Sequence, residues 1–289
     1  MNKNIIITGA TGYLGFKFLN RLIEDGFNVC VVKRKSSNVS KIELLTENIK
    51  FYNNDELSII QMFQENKVDM IVHFSTLYGR KGETILEIKD ANLDFPLLLL
   101  KHAISNNVNY FINTGTSLPY LTNQYSLFKH QFAECLEFFS SKITTINILL
   151  EHFYGPDDED SKFITSMIGK MKSNVADIEL TEGNQLRDFI FIEDVISAYL
   201  CVLNNITKFA GFNVLPLGSG ETVTIRKIVE TIKEVSGSTS NLLFGKVPMR
   251  ENELMRSDAD ISKLKNLGWS PKYNLNAGLK LTVELYKKI

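Results

Sequence analysis

Directly after a short β-branched run, Asn4–Thr8, the chain passes through Thr8-Gly9-Ala10-Thr11-Gly12-Tyr13-Leu14-Gly15 into a stretch where Leu14, Phe18, Leu22 and Ile23 recur at helical spacing and which stops at Gly26. Glycines at every third position between a strand and a helix permit a tight turn, a close backbone approach to a pyrophosphate, and close packing of the helix on the sheet. The helix start adds N–H groups and the positive end of its dipole. The backbone from Gly9 through Thr11, Gly12, Tyr13 and Leu14 to Gly15 is therefore the candidate cradle for a dinucleotide.

The strand-then-helix texture repeats. Apolar strands are expected at Asn28–Lys33, Ile49–Tyr52, Met70–Phe74, Tyr110–Thr114 and Thr145–Leu150, and helices at Leu57–Glu65, Ala91–Asn106 and Tyr125–Phe139. Strands that are nearly continuous in hydrophobicity and alternate with amphipathic helices belong to βαβ units, whose parallel sheet is buried on both faces. The expected fold class is α/β, a doubly wound parallel sheet with a smaller C-terminal α/β lobe. The texture changes after Gly155-Pro156. A dinucleotide-binding lobe is expected over 1–157 plus about 188–210, and a substrate lobe over 158–187 and 211–289, with helices near Thr224–Ser236 and from Asn276.

Composition excludes other classes. With 289 residues, 44% hydrophobic, 22% charged and only 6 prolines, the chain has the makings of a buried core, so it is not a disordered protein. Lys and Arg number 32 against 33 Asp and Glu, and that balance removes the electrostatic case for a nucleic-acid or anionic-membrane partner. No apolar run reaches the length of a membrane span, and Met-Asn-Lys-Asn leads straight into a strand with no signal-peptide pattern, so a cytoplasmic location is expected. Cys30, Cys135 and Cys201 have no metal or redox spacing, and no metal is expected.

The end of the second strand bears on the cofactor. An acidic residue there would hold the ribose 2′-hydroxyl of NAD, but the chain reads Val32-Lys33-Arg34-Lys35-Ser36. Cations at that position suit a 2′-phosphate, which favours NADP, consumed as NADPH, over NAD. Arg34 leads because a planar guanidinium grips phosphate bidentately, with Lys33 beside it.

Farther on, Tyr125-Ser126-Leu127-Phe128-Lys129 opens a helix behind a Thr-rich strand end, Asn113-Thr114-Gly115-Thr116-Ser117. Tyr and Lys four residues apart share a helical face, so the ammonium is expected to lower the phenol pKa and to reach the cofactor ribose. The phenol then becomes a proton donor near neutral pH.

Six ordered blocks carry a family resemblance: Gly9–Gly15; Val72-His73-Phe74-Ser75; the Thr116, Tyr125 and Lys129 set; Phe153-Tyr154-Gly155-Pro156; Arg187-Asp188-Phe189 through Val195; and Leu267-Gly268-Trp269-Ser270-Pro271. Over nearly its whole length the chain resembles extended short-chain dehydrogenase/reductases of the nucleotide-sugar epimerase/dehydratase group. The resemblance implies that Tyr125 is the catalytic acid/base, that Lys129 orients the ribose, and that Thr116 (with Thr114 and Ser117 as substitutes) bonds the reacting oxygen. It also implies cofactor contacts from Phe74 and Ser75, an adenine contact from Asp55, and diphosphate binding by Arg187. Arg256 resembles a second diphosphate-binding arginine, with a plain salt bridge as the alternative.

Departures from the family pattern narrow the activity. Ser117-Leu118 stand where dehydratases carry an acidic pair, which argues against elimination, and the cationic second-strand end argues against an epimerase that retains NAD. Reduction by NADPH of the C4 ketone of a nucleoside-diphosphate deoxyhexulose fits best. The run Leu149-Leu150-Glu151-His152 through Asp158 is similar to the CDP-abequose and CDP-paratose synthase type of 4-ketoreductase. This points to deoxysugar biosynthesis of the kind that supplies lipopolysaccharide O-antigen. Glu151 and His152 are candidates to face the nicotinamide or the sugar, or else a carboxylate–imidazole pair that supports the loop. The rivals are an NAD-dependent 4-epimerase and a non-catalytic dinucleotide sensor or scaffold. The resemblance further implies a homodimer through helices 91–106 and 125–139, with Leu97–Leu100, Phe128, Phe132 and Leu136 as surplus apolar surface. His73 reads as a bonded core residue, His102 and His130 as surface groups, and Asp157–Asp160 as a solvated loop.

Overall fold

The computed structural model describes residues 3–45, 49–251 and 253–286. In chain order the strands are β1 Asn4–Thr8, β2 Asn28–Lys33, β3 Lys50–Asn53, β4 Met70–His73, β5 Tyr110–Thr114, β6 Thr144–Leu150, β7 His152–Tyr154, β8 Asp177–Leu180, β9 Leu186–Phe191, β10 Phe212–Leu217, β11 Thr222–Thr224, β12 Asn241–Phe244 and β13 Arg256–Ser257. The helices are α1 Tyr13–Glu24, α2 Ser40–Glu43, α3 Glu56–Glu65, α4 Ile85–Lys89, α5 Phe95–Ser105, α6 Gln124–Phe138, α7 Phe163–Lys172, α8 Ile192–Asn204, α9 Ile225–Ser236, α10 Ser262–Asn266 and α11 Leu275–Glu284.

The chain divides into two compact units, Met1–Leu149 with Asn205–Leu215, and Leu150–Asn204 with Pro216–Ile289. The first holds a seven-stranded sheet ordered β10-β6-β5-β4-β1-β2-β3, in which β1 through β6 pair in parallel. The chain starts mid-sheet, winds outward through β2 and β3, then crosses to β4, β5 and β6, so its switch point lies between β1 and β4. Ile5, Ile6 and Ile7 are all buried, as a strand covered on both faces requires. Each such side chain contributes about 1.5–3 kcal/mol of burial.

The expected return of 188–210 to the first unit is shorter in the structure, where only 205–215 comes back, as β10 beside β6. The reason lies in the bonds of 186–204. β9 pairs with β7, β11 and β13, the Asp194 carboxylate accepts from the backbone N–H of Lys272 (2.8 Å) and Tyr273 (3.0 Å), and Trp269 Nε1 donates to Ser197 Oγ at 2.8 Å. Those contacts tie α8 to the second unit. They also give Asp194 and Trp269, both in the sequence blocks, structural work.

The expected helix over 91–106 starts differently. α4 runs into a π turn, Asp90–Asp94, before α5. The wide turn buries Asn92, whose Nδ2 donates to the carbonyls of Leu77 and Ile88 (2.8 Å each) and whose Oδ1 accepts from Thr76 Oγ1 at 2.7 Å. The surplus apolar surface expected on α5 and α6 is smaller than the sequence suggests. Leu99, Leu100, Phe128, Phe132 and Leu136 are buried within this chain, and Leu97 and Leu98 are partly covered. Among the described residues no helix is long and apolar enough to cross a membrane.

Candidate active site

At the switch point the three glycines of the β1–α1 turn do different things. Gly9 has φ +70°, and a Cβ there would lie 2.6 Å from the backbone N of Ser75. A Cβ on Gly15 would strike the Gly9 carbonyl. Gly12 is exposed, its nearest obstruction is the Gly9 carbonyl oxygen at 3.4 Å, and it caps α1 without a side-chain acceptor. The first and third glycines therefore hold the turn against β4 and α1, and the second leaves a bare helix N-terminus open. That combination fits a dinucleotide pyrophosphate. Leu14 is core, so only its backbone can serve a ligand, whereas Thr11 is exposed.

Around this turn the cofactor candidates have distinct surroundings. Ser75 N donates to Thr8 Oγ1 at 3.2 Å, and Phe74 packs edge-on against Phe18. Arg34 and Lys35 are exposed beyond β2, and Lys33 Nζ lies 3.5 Å from Asn53 Oδ1. Asp55 N-caps α3. Both its oxygens accept from Ser58, and these bonds lower its pKa.

Beneath the strand ends runs a buried row of polar side chains in register: Thr8, His73, Asn113 and Asn147. Thr8 Oγ1 and His73 Nδ1 are 2.8 Å apart, and Asn113 Nδ2 donates to Asn147 Oδ1 at 2.7 Å. Burial, with the Lys129 charge second, pushes the His73 pKa well down, so the ring is neutral, a bonded core residue as the sequence suggests. His102 and His130 are less exposed than expected, since each lies against an acceptor: Glu56 Oε1 at 3.1 Å and the Leu118 carbonyl at 2.9 Å.

Thr116, Tyr125 and Lys129 are brought together and buried, Thr116 after β5 and the other two on α6, whose Asn123 capping box fixes where the helix begins. Thr76 joins them from the segment after β4. Its single hydroxyl proton goes to Asn92 Oδ1, which leaves its oxygen as an acceptor for the Tyr125 phenol. Thr116 Oγ1 accepts from the Leu118 N–H at 3.2 Å and keeps its own proton to donate. Thr76 and Asn92 belong to no motif, and Asn92 sits among Lys89, Asp90 and Asp94, so no local pattern marks it as buried.

The electrostatics correct one expectation. Burial, and not the Lys129 charge, is the leading influence on the Tyr125 phenol. Burial first and Tyr78 second push Tyr125 up, while the Thr116 hydroxyl and Arg80 pull it down. Burial pushes the Lys129 ammonium down to about 7. A cavity of about 540 Å³ at the opposite edge of the sheet, bordered by Asn4, Phe27, Cys30 and Lys50, contains none of these residues.

The second unit has its own polar cluster. Arg187 is buried, with Nη2 2.7 Å from Glu253 Oε1 and Nη1 donating to the Leu186 carbonyl. Glu151 is buried and accepts from Ser257 Oγ at 2.8 Å, with His152 Nδ1 3.4 Å away, so it has the form of a supported carboxylate–imidazole pair. Arg256 pairs with Asp258 at 2.8 Å. Asp188 accepts from Ser219 N, Ser219 Oγ and Gly220 N and so closes the turn before β11. Within the acidic run, Asp158 is not solvated. It is buried, and burial pushes its carboxyl up to about 6.

Known proteins share this fold. The model of the NAD dependent epimerase/dehydratase family matches residues 5–215. CDP-abequose synthase of Salmonella muenchen is 32% identical over 97% of both chains. The structure of UDP-glucose 4-epimerase from Thermotoga maritima with UDP-glucose superposes with a TM-score of 0.84 at 25% identity over 98% of each chain. The Thermus thermophilus UDP-glucose 4-epimerase complex with NAD, at 19% identity and 98% coverage of each chain, shares the fold with a TM-score of 0.84. On the glycine turn, the Tyr125–Lys129 pair and these matches, the chain belongs to the NAD dependent epimerase/dehydratase family.

Proposed function

We propose that this chain is an NADPH-dependent oxidoreductase that reduces the C4 ketone of a nucleoside-diphosphate deoxyhexulose, with a CDP-linked 3,6-dideoxy-4-hexulose as the leading substrate. The observation that carries the reading is the burial of Thr116, Tyr125 and Lys129 together, in the same unit as a glycine turn that fits a dinucleotide. The full-length likeness to CDP-abequose synthase supports the substrate class.

Bound NADPH supplies a hydride to the carbonyl carbon. Tyr125 gives its phenolic proton to the carbonyl oxygen, so one hydride and one proton turn the ketone into a secondary alcohol, and solvent returns the proton to the tyrosinate. Thr116, with its hydroxyl proton uncommitted, polarises the same oxygen. Lys129 binds the ribose. The cationic end of β2 at Lys33 and Arg34 supports NADP. Arg187 and Arg256 are the diphosphate candidates, and a diphosphate would compete with Glu253 and Asp258 for them. A second copy of the chain is proposed as partner through α5 and α6, where Leu97, Leu98 and Leu127 stay partly covered and Phe138 is exposed.

The likeness to the Thermotoga epimerase favours a second reading, an NAD-dependent nucleotide-sugar 4-epimerase. Following NADPH absorbance with a panel of nucleotide-linked 4-keto sugars separates the readings. Loss of NADPH confined to one sugar supports the reductase. In a parallel assay on the nucleotide-linked C4 alcohols, interconversion of C4 epimers without NADPH loss overturns it in favour of the epimerase, and dinucleotide binding without any turnover in either assay does so in favour of a sensor.

A further inference from the structure

An ionised tyrosine in a buried site needs a cation. Burial pushes the ammonium of Lys129, one turn along α6 from Tyr125, down to about 7. His73 beneath is neutral, Thr116 and Thr76 offer only hydroxyls, and the Tyr78 phenol opposes a second negative charge. On α4, whose Ile88 packs with Tyr125, Glu87 is engaged in the Thr84 capping box and Lys89 pairs with Asp94.

A second cation, a guanidinium, comes from the loop after β4. Arg80 Cζ sits 5.1 Å from the centre of the Tyr78 ring, and the Tyr78 ring centre is 5.0 Å from that of Tyr125. The three groups lie in a row, the two rings tilted by 47°, with the guanidinium at its outer end. Among the described residues no carboxylate pairs with Arg80, so its charge is not neutralised locally. The loop is built to hold it. Asn92 bonds both the carbonyl and the amide of Leu77, Gly79 and Gly82 take left-handed φ of +72° and +84°, and Lys81 N donates to Glu83 at 2.7 Å. A Cβ on Gly79 would lie 2.6 Å from Ile88 Cδ1, so the loop is pressed against α4 immediately before Arg80.

We propose that Arg80, resting on the Tyr78 ring, is a positioning residue that stabilises the tyrosinate left when Tyr125 gives up its proton. The inference rests on the reading of Tyr125 as proton donor. Electrostatic attraction from Arg80 acts in the same direction on the phenol. Because Arg80 is exposed, the effect is screened and shrinks as salt rises.

The test uses the full chain with Arg80→Gln and Arg80→Lys. Tyr125 is titrated by tyrosinate absorbance, isolated by subtracting the spectrum of Tyr125→Phe made in each background. At low ionic strength Arg80→Gln should move the Tyr125 midpoint up by about half a pH unit, a threefold change in acidity, with the alkaline limb of kcat following. Arg80→Lys should restore most of the shift, and high salt should erase it. An unchanged midpoint and an unchanged kcat limb in Arg80→Gln overturn the proposal, as does a shift that persists in high salt. Undiminished turnover by Tyr125→Phe would instead remove the proton-donor reading, whatever the Arg80 variants show.

Discussion

Thr76 Oγ1 donates to Asn92 Oδ1 across 2.7 Å, and that bond joins the segment after β4 to the π turn between α4 and α5. It decides which way the Thr76 hydroxyl faces, and so what the phenol of Tyr125 meets.

Asn92→Ala removes every bond of a fully buried amide and leaves the Leu77 and Ile88 carbonyls without this donor. The expected cost is about 2–4 kcal/mol of stability, read by chemical denaturation. The variant that still folds should turn over more slowly than wild type. Stability and turnover both at wild-type level would show that the π turn serves neither.

The glycine turn offers a contrast inside one motif. Gly15→Ala drives a methyl into the Gly9 carbonyl, with Ala10 Cα only 3.0 Å away, and should cost about 1–3 kcal/mol of stability. Gly12→Ala meets nothing closer than 3.4 Å and should stay within about 1 kcal/mol of wild type. It should nevertheless raise the dinucleotide Kd at least tenfold, because the methyl occupies the space a pyrophosphate needs. Calorimetric titration showing unchanged affinity in Gly12→Ala would place the pyrophosphate elsewhere.

Arg34 is the cofactor discriminator under the proposed NADP preference. Arg34→Ala should weaken NADPH about tenfold, as loss of a charge-assisted phosphate contact implies, and leave NADH unchanged. Equal loss for both dinucleotides would make Arg34 a general contributor and not a reader of the 2′-phosphate.

Asp158 predicts a pH dependence of stability. Its folded carboxyl is raised to about 6 from an ordinary 3.8, so between those values the native state holds a proton that the unfolded state has released. Stability therefore falls as pH rises through that window, and the penalty is fully present above it. Asp158→Asn should melt at a higher temperature than wild type at pH 7, with the advantage fading toward about pH 4. An advantage that is constant with pH would mean that the carboxyl charge is not its source.

Much of this was legible in the chain itself. The strand-then-helix rhythm determined a doubly wound sheet, because strands buried on both faces must be apolar throughout and their crossovers must be amphipathic. The β1–α1 glycines and the four-residue spacing of Tyr125 and Lys129 located the candidate chemistry, since each depends only on local geometry. What lay beyond the sequence was set by partners distant along the chain. Glu253 meets Arg187 from 66 positions away, and Ser257 meets Glu151 from 106. Burial, which no local pattern measures, brought Lys129 down to about 7, hid Asp158 inside an acidic run, and covered Leu99, Leu100, Phe128, Phe132 and Leu136, expected at a surface. Residue type and spacing determined which groups could act. Their charge states and hydrogen-bond directions were decided only when tertiary packing removed water from them, because desolvation depends on what folds over a side chain and not on what precedes it.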